Sequence, residues 1–297
     1  MCPLPSSAPK RRRRWRWLAV PLAVLLLLYC TNYVLQTAWA HREPFFYPDY
    51  DRVELAPMLE KRALAEEDYE AVFLQTGLTK PAVDRLLAAG QGGVDQILST
   101  QEGFFSHYDV KCVSLLPGRF TSEDLVLDEN GTKKATVPLA PVEPGDLIVS
   151  FSTHSFGWRH GHAGLVVDTA RGVTLEAVVL GSDSAQVDIQ HWRTYSNFMV
   201  LRVKDATAEE RLQVAQFALK YLDGIPYGLT SGIFGQKAPD PEEDLISQCA
   251  YLPWYAWQSA GYDLDGDGGR IVTVANLAES PLVEVVQVYG IDPRALT

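Results

Sequence analysis

One cysteine, one histidine and one glutamate of this chain have the settings that a thiol hydrolase needs. Cys249 follows Ser247 at the expected start of a helix, where free backbone N–H groups and the helix dipole favour a thiolate. His162 begins a predicted strand, and its neutral imidazole can accept the thiol proton. Glu176 is the single acid in an apolar strand, which is a costly position for an unpaired charge. We predict Cys249 as the nucleophile, His162 as the base and Glu176 as the residue that orients the imidazole.

A hydrolytic zinc site is a competing interpretation of the same histidines. His160 and His162 alternate on one predicted strand face, and His154 lies six residues before His160. Glu176 is available to complete such a ligand set. The His-x-His pair is a weak signal by itself, however, and a zinc site leaves the cysteine helix unexplained. We therefore predict no metal ion and no cofactor.

A calcium site is the second metal-based alternative. Asp263, Asp265 and Asp267, followed by Gly268, imitate the start of an EF-hand loop. Val274 stands where the bidentate glutamate of that loop belongs. The pattern favours a plain turn.

The elements that must position these residues are strands followed by helices. Short apolar runs bounded by turn residues predict strands at 147–151, 163–167, 173–179 and 198–203. A capping-box spacing at Thr207 predicts the start of one helix, and a second helix is predicted at about 247–260. This order indicates an α+β fold with an antiparallel sheet. Residues 138–297 are predicted to form this hydrolase domain.

Residues 41–137 are predicted to be a helical accessory region whose role the sequence leaves open. Thr79 and Pro81 are typical of a helix start, and Gly90 is typical of its end. The stretch 106–137 is mixed and polar, with a turn predicted near Asn130. It contains Cys112, and a disulfide between Cys112 and Cys249 is an open possibility.

Composition and charge limit the partners. The 297 residues are 47% hydrophobic and 21% charged, which is a globular composition. Of the 26 basic residues, six lie in the first 40 positions, and all 37 acidic residues come after them. An acidic body repels nucleic acid, so we predict no nucleic-acid partner and assign the basic cluster to membrane orientation.

The N-terminus predicts export. Residues 1–16 read as a basic cytoplasmic tail, and 17–40 read as a transmembrane anchor or a signal peptide cleaved after Ala40. By the positive-inside rule the body then lies outside the cytoplasm, held at the cell membrane or secreted.

Five segments in chain order resemble a known family. Residues 145–152, 161–168, 174–179, 224–228 and 248–261 read GDLIVSFS, GHAGLVVD, TLEAVV, GIPYG and QCAYLPWYAWQSAG. The order, with histidine and acid before cysteine, resembles the circularly permuted NlpC-type cysteine peptidases, the YiiX and YycO-like group, over about 143–286. The resemblance implies a papain-like α+β core in which the sheet packs on the cysteine helix. It implies the same three roles for Cys249, His162 and Glu176.

The resemblance also bears on substrate and on helix geometry. It implies hydrolysis of an amide bond, with peptidoglycan peptides as the first candidate and lipid amides or esters as an alternative. A non-catalytic cell-envelope binding module with the same fold is the third possibility. Ala250, Tyr251 and Pro253 depart from the family pattern. If the helix begins after Ser247, Pro253 lies in its interior and kinks it.

Overall fold

The computed structural model describes residues 11–40, 45–114, 121–155 and 158–296. Within these ranges the α-helices are α1 (Arg11–Ala40), α2 (Ala56–Leu59), α3 (Glu66–Thr76), α4 (Lys80–Ala88), α5 (Gln91–Phe104), α6 (Ala208–Tyr221), α7 (Tyr251–Gln258) and α8 (Val274–Ala278). The strands are β1 (Asp109–Ser114), β2 (Thr121–Leu127), β3 (Leu147–Ser150), β4 (Thr153–Ser155), β5 (Trp158–Arg159), β6 (His162–Asp168), β7 (Val173–Glu176), β8 (Ala185–Asp188), β9 (Phe198–Val203) and β10 (Val283–Tyr289). Two 3₁₀ helices lie at Ile189–Thr194 and Pro293–Ala295.

A six-stranded sheet forms the centre of the fold. Its strand order is β10-β9-β3-β6-β7-β8, and neighbouring strands are antiparallel. The four strands predicted from the sequence are β3, β6, β7 and β9, with bounds shifted by at most three residues. The predicted α+β class with an antiparallel sheet is therefore confirmed.

Both faces of this sheet are covered by helices. Leu147 and Leu165 belong to a core shared with α6 and α7, whereas Ile148 and Val166 belong to a core shared with α3, α4 and α5. This alternation follows from the two-residue period of a strand, which sends neighbouring side chains to opposite faces. The helices of the region 41–137 thus pack directly on the sheet that carries His162.

A smaller sheet of four strands has the order β1-β2-β4-β5. Strands β1 and β2 lie in the stretch for which the sequence predicted only mixed, polar structure. Strands β4 and β5 form the excursion between β3 and β6, so the small sheet directly precedes His162 along the chain. The helical prediction for 41–137 is thus incomplete, because β1 alternates over only four residues and the polar start of β2 lacks the alternation that signals a strand.

The N-terminal helix α1 covers the predicted membrane segment. Among the residues and side chains that the structure describes, no helix is both long enough and apolar enough to cross a membrane. The predicted anchor at 17–40 therefore has no support here. The predicted basic tail at 1–16 lies largely outside the described residues.

The two helices after the large sheet differ in how well the sequence predicts their starts. Helix α6 begins after Thr207, whose side chain accepts a hydrogen bond from Glu210 N, as the capping box predicts. Helix α7 begins at Tyr251, because Ser247 is held in an extended bridge to Tyr227. Pro253 is consequently the third helical residue, where proline is tolerated, and the predicted interior kink is wrong.

Candidate active site

Cys249 lies in the turn that leads into α7. Gln248 fixes this turn, because its Oε1 accepts Ala250 N at 2.8 Å and its Nε2 donates to Val272 O at 2.6 Å. The Cys249 thiol donates to Gly161 O at 3.9 Å and is 7% exposed. The sulfur therefore stands just before the helix start, beside the residue that precedes His162.

His162 and Glu176 form the best-defined contact of the site. His162 Nε2 lies 2.8 Å from Glu176 Oε2, and both residues are buried. Because Nε2 is engaged by the carboxylate, Nδ1 is the ring nitrogen left for the sulfur. Cys249 forms a side-chain hydrogen bond with this ring, and its sulfur also lies 3.7 Å from Gln248 Oε1.

Glu176 is held by three further donors that the sequence did not predict. Its Oε1 accepts Thr174 Oγ1 at 2.5 Å, His191 Nε2 at 2.7 Å and Trp192 Nε1 at 3.0 Å. The Trp192 ring also stacks on the His162 ring, with centroids 5.2 Å apart and planes 12° from parallel. His191 and Trp192 lie in the 3₁₀ helix Ile189–Thr194, which no sequence pattern connects to the strand of Glu176. Thr174 alone could be inferred, since it shares a strand face with Glu176.

The charges of the site are mutually stabilised. Burial by itself would lower the pKa of His162, but the hydrogen bonds to Cys249 and Glu176 outweigh burial and raise that pKa to about 10. Burial would raise the pKa of Glu176, yet hydrogen bonds from His162 and His191 hold it well below the usual range. This raised pKa favours the protonated form of His162 at neutral pH, whereas the sequence-based prediction takes the ring as neutral before it accepts the thiol proton.

Two glycines of β6 and its approach allow this packing. A Cβ on Gly164 would lie 2.9 Å from Glu176 Cγ and 2.9 Å from Trp192 Cζ2, closer than carbon atoms approach. Gly161 has φ of +74°, and a Cβ there would lie 2.6 Å from Ser150 O. Both positions need glycine so that the histidine, the acid and the indole can come together.

Two further groups lie beside the sulfur. Among the described residues, Cys249 N has no hydrogen-bond acceptor, so this N–H at the approach to α7 is available to an incoming oxygen. Tyr227, in the GIPYG segment, is close enough that the charge of Cys249 adds to burial in raising the pKa of the phenol.

The structure does not assemble the zinc set that the sequence offered. His160 contacts Ser155 Oγ at 3.1 Å and Gly161 O at 2.9 Å, away from Glu176. His154 lies in the small sheet, in a separate Cys-His-Asp cluster with Cys112 and Asp124. Cys112 and Cys249 are free thiols, each beside its own histidine.

The aspartates that imitate an EF-hand loop form hydrogen bonds and an ion pair with other groups of the protein. Asp263 accepts Trp254 Nε1 at 2.8 Å, and Asp267 accepts Gly269 N at 2.6 Å. Asp265 pairs with Lys237. These contacts are those of a turn that is anchored to the protein, as the sequence favoured.

Comparison with known proteins does not assign the chain to a family. No family model matches the chain, and no curated protein matches it. Among solved structures, the chain is similar to the metalloprotein YiiX of Escherichia coli, with 18% identity and a TM-score of 0.39. The similarity covers 49% of this chain and 97% of that one. At this distance it carries no argument about activity, which must be argued from the site itself.

Proposed function

We propose that the protein is a cysteine hydrolase that cleaves an amide bond with Cys249, His162 and Glu176. The observation that supports this most strongly is that one buried imidazole contacts both other groups. His162 Nε2 is bound to the buried Glu176, which leaves Nδ1 for the hydrogen bond between the ring and Cys249. Thiol, imidazole and acid thus stand in series, which is the order in which a proton must move.

The first half-reaction acylates the enzyme. The Cys249 sulfur attacks the substrate carbonyl carbon, and the resulting oxyanion can accept a hydrogen bond from Cys249 N. The His162 imidazolium then donates its Nδ1 proton to the leaving amine nitrogen as the C–N bond breaks. The products are a free amine and a thioester on Cys249.

The second half-reaction regenerates the enzyme. His162 is now neutral and removes a proton from a water molecule, which attacks the thioester carbonyl. Collapse of the second tetrahedral intermediate releases a carboxylic acid and returns the thiolate. Glu176 keeps the ring in one tautomer throughout and stabilises its charged form.

The proposed substrate class is a peptide of the cell wall. It follows from the resemblance to the permuted NlpC-type peptidases and fits a protein whose body is predicted to lie outside the cytoplasm. That location, together with the membrane anchor or cleaved leader, stays a prediction.

A lipid amide or ester is the second candidate, and one observation favours it. Large apolar side chains are exposed on the loops beside Cys249: Phe234 is 78% exposed, Leu229 64% and Ile271 52%. These loops are tied to the site, since Gly228 N donates to Ser247 O and Gln248 Nε2 donates to Val272 O. Exposed apolar groups on loops that are hydrogen-bonded to the segment just before the nucleophile suit an acyl chain or a lipid surface. A thiol acyltransferase or a lipid amidase would use the same acyl-enzyme.

The test is substrate profiling of the full-length protein. Purified peptidoglycan and total lipid extract are each incubated with the enzyme, and released fragments are identified by mass spectrometry. Cys249→Ala and His162→Gln should abolish release, whereas Cys30→Ser, which removes an exposed thiol on α1, should not change it. Phe234→Ser should reduce release only from lipid, with the exposed Leu212→Ser on α6 as its matched control.

Each result separates the candidates. Release of peptide fragments that depends on Cys249 supports the peptidase, and release of fatty acid or lysolipid supports the lipid enzyme. Wild-type release rates in Cys249→Ala would reject a thiol mechanism. Tight binding of either substrate without any fragment, together with failure of Cys249 to form an acyl adduct, would indicate the binding module.

A further inference from the structure

A second set of cysteine, histidine and acid lies on the small sheet, and backbone register alone brings it together. Cys112 on β1 stands directly opposite Asp124 on β2. His154 on β4 stands opposite Ser122, which is two residues from Asp124 and so on the same face. Three adjacent strands therefore present their side chains to one point of one face.

The donor atoms of this second set converge, whereas those of the active site stand in series. His154 Nε2 lies 3.8 Å from Cys112 Sγ and 3.4 Å from Asp124 Oδ1. Cys112 Sγ and Asp124 Oδ1 both contact the same ring nitrogen of His154. The other nitrogen, Nδ1, is buried and has no hydrogen-bond partner in the described part of the chain. A relay of protons needs both sides of the ring, so this cluster is not a second catalytic triad.

Convergence of this kind matches the ligand shell of a tetrahedral metal ion. Zinc binds sulfur at about 2.3 Å and nitrogen or oxygen at about 2.0 Å, which places tetrahedral ligand atoms roughly 3.3 to 3.6 Å apart. The separations here are 3.4 Å and 3.8 Å, and the three donor atoms all lie within 4.8 Å of one another. The two separations from His154 Nε2 are thus within a few tenths of an ångström of those in a zinc site.

We propose that Cys112, Asp124 and His154 bind Zn²⁺. A thiolate, an imidazole and a carboxylate are the ligands that zinc prefers, and calcium or magnesium would not choose the sulfur. Arg159 holds the other oxygen of Asp124 at 2.7 Å, so the carboxylate is oriented as liganding carboxylates usually are. Cys112 is exposed, which gives the ion a route of entry and leaves a fourth position open to water.

The position of the site suggests what the ion does. Asp124 and His154 are nearly fully buried, at 2% and 0% exposed, and they join β2 to β4. Strand β4 belongs to the excursion that ends at Gly161 and His162. Zinc bound here ties three strands together immediately upstream of the catalytic histidine.

The test is metal binding by the purified full-length chain, with Zn²⁺ alone as the probe. Protein stripped with a chelator is dialysed against buffered Zn²⁺, and bound metal is counted by elemental mass spectrometry. Co²⁺ substitution then reports thiolate ligation through its charge-transfer absorption. Cys112→Ser removes one ligand from an exposed position. Cys249→Ser is the matched control, because it removes the thiol of the other cluster in the same way.

We expect one Zn²⁺ per chain in wild type and in Cys249→Ser, at least tenfold weaker binding in Cys112→Ser, and loss of the Co²⁺ charge-transfer band in Cys112→Ser alone. Asp124→Asn, which keeps the shape of the buried side chain, should also weaken binding at least tenfold. Wild-type protein that retains no Zn²⁺ would overturn the proposal. So would equal binding by Cys112→Ser, or a Co²⁺ band that disappears in Cys249→Ser.

Discussion

Replacement of Glu176 by glutamine tests the proposed mechanism most sharply, because the surroundings dictate how the new amide must lie. The Oε1 position receives three hydrogen-bond donors, among them the indole N–H of Trp192, which cannot act as an acceptor. The amide oxygen must therefore take this position. The amide NH₂ then faces His162 Nε2, where the carboxylate oxygen stood at 2.8 Å.

This orientation reverses the tautomer of the histidine. His162 Nε2 has to accept a hydrogen bond from the amide, so the ring proton moves to Nδ1 and the imidazolium loses its counter-charge. The ring can then neither carry the positive charge that balances the attacking sulfur nor donate from the tautomer that the mechanism needs. We expect turnover to fall by about 10³- to 10⁴-fold, and alkylation of Cys249 at pH 6.5 to slow relative to that of Cys30.

The assay is site-resolved alkylation by iodoacetamide, read by mass spectrometry of peptides. Cys30, an exposed thiol of the same chain, serves as the internal reference in every sample. Glu129→Gln makes the same chemical change at an exposed turn and should leave the ratio of Cys249 to Cys30 rates unchanged. Circular dichroism checks that Glu176→Gln is folded. A folded Glu176→Gln protein whose Cys249 reacts at the wild-type rate at pH 6.5 would refute the proposed role of the acid.

Other predictions address packing, helix geometry and pH. Gly164→Ala should lower the free energy of unfolding in urea by about 1–3 kcal/mol, because its Cβ would meet Glu176 at 2.9 Å. Gly92→Ala in α5 is the control: it has open space around it, so its free energy of unfolding should be unchanged or higher by up to about 1 kcal/mol. Pro253→Ala should change stability by less than about 1 kcal/mol; a gain near 3 kcal/mol would place the proline in the helix interior after all. The raised pKa of His162 stabilises the fold fully below pH 6.5, and this contribution is lost as the pH rises toward 10. The unfolding free energies of wild type and His162→Gln should therefore converge between pH 6.5 and 10, and a constant difference across this range would contradict the assigned pKa.

The large sheet was predictable because its strands are apolar and are bounded by turn residues that are visible in the sequence. Strands β3, β6, β7 and β9 are short runs of β-branched residues between turn residues, so each could be recognised without knowledge of its partners. The start of α7 was not predictable in the same way. It depends on the bridge between Ser247 and Tyr227, a long-range pairing that overrides the local capping preference of Ser247.

The residues of the site also differ in how well the sequence predicts them. The three predicted site residues, Cys249, His162 and Glu176, are brought to one place, and their chemical roles stay predictions that the experiments above address. The partners His191 and Trp192 were missed, because histidine and tryptophan in a short 3₁₀ helix carry no local sign that they contact a distant carboxylate. The protonated state of His162 was missed for a related reason: it depends on burial and on the balance of neighbouring charges.

The two cysteine clusters show why residue type alone does not decide the chemistry. Both contain a thiol, an imidazole and a carboxylate, and the sequence analysis considers Cys112 only as a possible disulfide partner of Cys249. What separates the clusters is the ring nitrogen that each partner uses. Around His162 the carboxylate occupies Nε2, which leaves Nδ1 for the thiol, and a proton can pass between thiol and ring while the acid holds the other nitrogen. Where both lie at one nitrogen, as around His154, the ring cannot pass a proton from one group to the other, and the three donor atoms are close enough together to bind the Zn²⁺ ion that we propose.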